Sequence, residues 1–137
     1  MTIATPAIKT AESNASAFKS FRDLIAWQKS MDLVCRTYEQ TKMLPPDERF
    51  GLIAQMRRSA VSVASNIAEG WGRHAGAEYI RFLEIARGSA YELSTQCEIC
   101  MRLAMPGEWG IVVENCEGIG RILNGLMASI RKSMSRA

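Results

Sequence analysis

From Gln55 to Arg73 the chain carries apolar positions at helical spacing and, beside them, polar positions that are mostly uncharged. At 100° per residue, Leu52, Met56, Ala60, Val63 and Ile67 form an apolar stripe. Next to it Gln55, Ser59, Ser62, Asn66 and Glu69 form a polar stripe, where a solvated helix would normally carry Lys and Glu. Ala54, Val61, Ser65 and Ala68 fill the remaining arc, and Arg57 and Arg58 are the only charges between Gln55 and Ala68. The pattern predicts a helix covered on several sides.

Three further stripes accompany it. Leu24, Trp27, Met31, Val34, Cys35 and Tyr38 predict a first helix that reaches about Met43 and ends at Pro45 and Pro46. Pro46, Asp47 and Glu48 predict the start of the second helix, because proline loses no bond in a first turn and acids there complement the helix dipole. Gly70-Trp71-Gly72 reads as its stop, with glycine free to take the left-handed conformation. A third helix over about 75–104 carries Tyr79, Leu83, Ala86, Ala90, Leu93, Cys97 and Met101 on one line and Phe82, Ile85, Ser89, Gln96 and Leu103 on the next. Its outer face holds Arg81, Glu84, Arg87, Tyr91, Glu98 and Arg102. After Met105-Pro106-Gly107, a fourth stripe runs through Trp109, Val112, Val113, Cys116, Ile119, Leu123, Leu126 and Ile130. Helices of this length joined by short Pro/Gly turns predict an all-α, up-down-up-down antiparallel four-helix bundle. The bundle domain is expected over 18–137, with a short basic C-terminal tail and a flexible N-terminal tail over 1–17.

Composition narrows the function classes. The 137 residues fit one domain, and a 47% hydrophobic fraction is that of a globular chain. A net charge of +3 permits an acidic partner without requiring one. No apolar run approaches the roughly 18 residues of a membrane span. The N-terminus lacks the basic region and apolar block of a secretory signal, so a cytoplasmic protein is expected. Cys35, Cys97, Cys100 and Cys116 each fall on the apolar stripe of a predicted helix and read as buried free thiols. Cys97 and Cys100 have the spacing of a zinc knuckle, but they lie inside a helix and the other two cysteines do not form a second pair. No metal and no cofactor is expected.

Catalysis needs a nucleophile or metal beside a positioned base. The single histidine, His74, sits in a predicted turn beside Arg73. The arginine and histidine spacing of some helical ribonuclease domains is absent before it. Glu69, Glu78, Glu84 and Glu92 lie on different arcs, and the Glu-x-x-His signature of di-iron bundles is missing. Gly70-Trp71-Gly72 is too short to cradle a phosphate. No catalytic residue, and no enzyme, is expected. The polar stripe reads instead as a structural network of Gln55, Arg57, Arg58, Ser59, Ser62, Asn66, Glu69, Arg73 and Glu92, since a buried polar group must find a partner. In it the guanidinium groups would bridge Glu69 and Glu92. That leaves the outward cations Arg81, Arg87, Arg102, Arg131, Lys132 and Arg136 as nucleic-acid-binding candidates.

Several segments resemble a known family. They are Asp23-Leu24 with Trp27-Gln28-Lys29; Phe50-Gly51-Leu52 with Gln55 to Ser62; Ser65 to Gly70 with Gly72-Arg73; and Glu78, Phe82-Leu83, Ala86, Gly88-Ser89, Glu92-Leu93 and Thr95-Gln96. In this order they resemble the bacterial four-helix bundle proteins that include those encoded in intervening sequences of the large-subunit (23S) ribosomal RNA. The likeness covers about 20–132. It implies a four-helix protomer, a homo-oligomer of pentameric rings and no established enzymatic activity. A more distantly similar bundle protein is the nucleic-acid-binding accessory subunit of the reverse transcriptase in diversity-generating retroelements. The chain departs from the family pattern in its N-terminal tail and at Met105 to Trp109. By this resemblance it is expected to be a non-enzymatic scaffold or accessory factor for RNA or a nucleic-acid-handling protein. A protein-protein interaction module without nucleic-acid affinity is the alternative.

Overall fold

The computed structural model describes residues 18–136, and the tail expected over 1–17 lies outside them. Among the described residues four α-helices follow one another: α1 (Ile25–Thr41), α2 (Leu52–Trp71), α3 (Gly76–Arg102) and α4 (Trp109–Ser135). No strand occurs among the described residues. Each helix packs on the next, and α4 closes back on α1, the least extensive of the four sides. With short connections this closure makes the antiparallel up-down-up-down bundle that the periodicity predicts.

The predicted stripes build the core. Met56, Ala60, Val63 and Ile67 of α2 are fully buried, as are Leu83, Ala86, Ala90 and Leu93 of α3. Leu33 comes from α1, and Val112, Leu123 and Met127 from α4. Gly110, Gly118, Gly120 and Gly125 all lie within α4, and each costs about 1 kcal/mol of helix propensity. A buried Leu, Val or Met side chain contributes roughly 1.5–3 kcal/mol. Packing therefore wins, and α4 runs unbroken.

The helix ends depart from the sequence reading in instructive ways. α2 begins at Leu52 rather than Pro46, because Pro46–Glu48 close a separate 3-10 turn and Gly51 is non-helical at φ −101°, ψ −112°. The Glu48 carboxylate accepts the Leu52 amide at 3.1 Å, so an acid serves the helix start from outside the helix. At the other end Gly72 is right-handed, with φ −76°. The glycine that matters there is Gly70, where an added Cβ would lie 2.9 Å from Phe82 Cβ and 3.0 Å from Tyr79 Cδ1. Glycine lets α2 and α3 approach closely instead of reversing the chain.

α3 closes on Ala104, a left-handed residue with φ 55°. Its amide donates to the Met101 carbonyl at 3.0 Å, and the Met105 amide donates to Cys100 at 2.9 Å. This is a Schellman closure with alanine where glycine is usual. Gly107, at φ 147°, leaves space for the Trp109 ring, which a Cβ there would meet at 2.6 Å. Met101 and Leu103, expected on the buried lines of α3, are exposed at this end, while Cys100 is buried.

Candidate nucleic-acid interface

The polar stripe of α2 meets α3 along one seam. Ser62 and Ser89 share a hydrogen bond of 2.7 Å between their hydroxyls. Asn66 Nδ2 donates to the Ser62 carbonyl at 2.8 Å and to Ser62 Oγ at 3.0 Å. Ser59 and Gln96 are buried beside them, and Gln96 Oε1 has no partner.

The other members of the expected network lie elsewhere. Arg57 turns to α1, donating through Nε to Thr41 Oγ1 at 2.9 Å and through Nη2 to the Tyr38 carbonyl at 3.3 Å, with its guanidinium 4.4 Å from the centre of the Tyr38 ring. Arg73 pairs with Glu69 at 3.0 Å and Glu78 at 3.7 Å, and covers the Phe82 ring. Gln55, Arg58, Glu69 and Glu92 are exposed. The reason is angular: Gln55, Arg58, Val61, Ser65 and Glu69 fall on the arc of α2 that no other helix of the bundle covers. The helix expected to be enclosed is open there in the single protomer.

The outward cations divide between the two ends of the bundle. Arg81, Arg131, Lys132 and Arg136 lie where α3 begins and α4 ends, and Arg131 reaches Glu84 at 3.4 Å. Arg87 is half-buried and donates through Nη1 to Asn124 Oδ1 at 2.7 Å. Arg102 sits at the opposite end of α3. Arg121, absent from the sequence-based candidates, projects from α4 into a groove shared with Tyr91. Its spacing from Arg131 and Lys132 gave no cluster in the sequence, and only the α3–α4 register brings it to α3.

The thiols hold to the core with one exception. Cys97, Cys100 and Cys116 are buried, but Cys35 is exposed, because it lies toward the solvent edge of its stripe. Burial pushes the Cys97 thiol well above its ordinary value of 9.0 and raises the Cys100 thiol as well. Cys116 is pushed up to about 11 by burial, against a smaller opposing effect of its hydrogen bond with Ser94. His74 is exposed in the α2–α3 turn. Among the described residues, no three His, Cys, Asp or Glu side chains converge on a point that could hold a metal ion. No helix there is long and apolar enough to cross a membrane.

Fold and surface together define an antiparallel helical bundle that presents exposed basic side chains from α3 and α4. The sequence pattern of the 23S rRNA-intervening sequence protein family matches residues 22–125, and the chain belongs to that family. It is similar in fold to a solved protein of unknown function from the S23 ribosomal protein family of Bacteroides thetaiotaomicron VPI-5482. The two are 22% identical, with a TM-score of 0.70, over 76% of this chain and 96% of that one. No curated protein matches the sequence.

Proposed function

We propose that this protein is a non-enzymatic homo-oligomeric bundle, pentameric as the family resemblance implies, acting in the cytoplasm as a scaffold or accessory factor for RNA or a nucleic-acid-handling partner. The observation that carries this reading is the open arc of α2. Val61 is 41% exposed there, between Arg58 and Ser65, and the facing edge of α3 offers Ile85 and Gly88. Val61 and Ser65 on α2, with Ile85 and Gly88 on α3, form a small and apolar strip between the charges of Arg58 and Glu69, and such a strip suits close packing of another helix better than it suits water. Assembly would also repeat the +3 charge of the protomer around a ring, strengthening its attraction for an anion.

A second reading, a protein-protein interaction module without nucleic-acid affinity, is favoured by the engagement of Arg131 with the Glu84 carboxylate. Two measurements separate these readings. Light scattering at micromolar concentration should report a mass several times that of the protomer, and a monomer would remove the assembly claim. Titration with structured RNA should give an affinity that falls steeply as salt rises. An assembled protein that binds no RNA at low salt would leave the second reading standing.

A further inference from the structure

Between α3 and α4 runs a groove of about 350 Å³, lined by Tyr91 and Ser94 on one side and by Glu117, Arg121 and Asn124 on the other, with Cys116 and Gly120 buried at its base. Three features are unexplained by the packing of the protomer. Tyr91 is 58% exposed in the middle of α3. Arg121 is exposed and forms no ion pair, although Glu117 stands one helical turn before it. A Cβ on Gly120 would meet nothing within 4 Å, so the glycine weakens the helix without making room for any part of this chain. At the rim, Asn124 holds the Arg87 guanidinium at 2.7 Å and fixes a second positive charge.

We propose that this groove is a stacking subsite for an unpaired base of single-stranded RNA, with the base on the Tyr91 ring and the neighbouring phosphate on Arg121. The inference rests on the RNA reading above and adds to it the strandedness of the ligand and the residues that hold it. An exposed aromatic ring beside cations is the arrangement by which proteins hold single strands, since every base presents a π-face and every nucleotide a charge. Arg121 and Glu117 line the groove one for one, and Arg87, held at the rim by Asn124, adds the positive charge that suits an anionic chain. The missing side chain at Gly120 deepens the groove where the base enters. A duplex offers no such face, because its bases are already stacked and paired.

The test uses the full chain and two fluorescent probes, a short oligouridylate and a duplex RNA of equal length, followed by anisotropy across a salt series. The single strand should bind more tightly than the duplex. Tyr91→Ala should weaken it about tenfold, within the usual range for one stacked base, and Tyr91→Phe should retain it. Arg121→Gln should weaken binding and lower the salt slope by about one. All three side-chain changes lie at exposed positions, so unchanged melting temperatures verify the fold. Single-strand binding that survives both Tyr91→Ala and Arg121→Gln overturns the subsite while leaving RNA binding in place. No binding of either probe by the unaltered protein overturns both. A smaller assembly in Tyr91→Ala with RNA affinity intact would assign the groove to subunit contact and overturn the proposal.

Discussion

The hydroxyls of Ser62 and Ser89 meet at 2.7 Å across the seam between α2 and α3, and Asn66 braces Ser62 from one turn below. In a helix pair held mainly by apolar contacts, this bond fixes which residue lies opposite which. Each of Ser62→Ala and Ser89→Ala should cost about 1 kcal/mol, because each strands a partner hydroxyl. The double variant should cost less than the sum of the two, by about 0.5–1 kcal/mol. Urea denaturation of the four proteins measures the cycle, and strictly additive costs would show that the hydroxyls do not depend on each other. Glu69→Ala, by contrast, removes only an exposed ion pair and should cost about 0.5 kcal/mol or less.

Two glycines in neighbouring helices should respond to alanine with opposite signs. At Gly70 the new methyl would press on Phe82 and Tyr79, and we expect a loss of about 1–3 kcal/mol. At Gly88 it would meet nothing within 4 Å, and the gain in helix propensity should stabilise by about 0.5–1 kcal/mol. Thermal melts decide the matter, and a stabilised Gly70→Ala would refute the close approach of α2 and α3.

Ala104 offers the reverse substitution. Its left-handed backbone is one that a Cβ opposes. Ala104→Gly should raise stability by about 0.5–1 kcal/mol, after allowing for the greater freedom glycine gives the unfolded chain. A destabilised variant would mean that the methyl itself packs usefully.

The thiols give a chemical readout of the core. Ellman's reagent at neutral pH should label Cys35 rapidly and reach Cys97, Cys100 and Cys116 only on unfolding. Their raised pKa values also set a sign. Below about pH 9 these thiols are protonated in both states and contribute no pH dependence. Above it the unfolded chain loses protons that the folded core retains, so stability should fall as pH rises, for Cys116 up to about pH 11. Stability that rises through this range would contradict the burial of the three thiols.

How far the sequence could be read depended on what each signal reports. Periodicity measures burial against a neighbour in the same chain, and it placed the helices and central core residues such as Leu83, Leu93 and Leu123. It could not say whether the quiet arc of α2 was closed by this protomer or left for another. Gln55 and Ser59 share a predicted stripe, yet Gln55 is exposed and Ser59 buried, because the stripe straddles the edge of the α2–α3 contact. The basic candidates suffered from register. Arg87 looked like a free surface charge until α4 brought Asn124 to it, and Arg121 gained meaning only through Tyr91. The Gly70-Trp71-Gly72 stop was legible as a helix end, but its conformation depends on the distance to Phe82, which no local rule encodes.

The thin closure between α1 and α4 has a dynamic consequence. Along it lies a groove of about 260 Å³ lined by Lys29, Asp32, Arg36, Glu114 and Asn115 above Ile119 and Ile122. At the far end of α1, Arg57 fastens Tyr38 and Thr41 to α2. The helix is therefore tethered at its C-terminal end, buried at its N-terminal end through Ile25 and Ala26, and lightly held along α4. Native-state hydrogen exchange should find the amides of α1 opening at lower free energy than those of α2 and α3, so that the bundle loosens like a barrel parting along one seam before the whole comes apart.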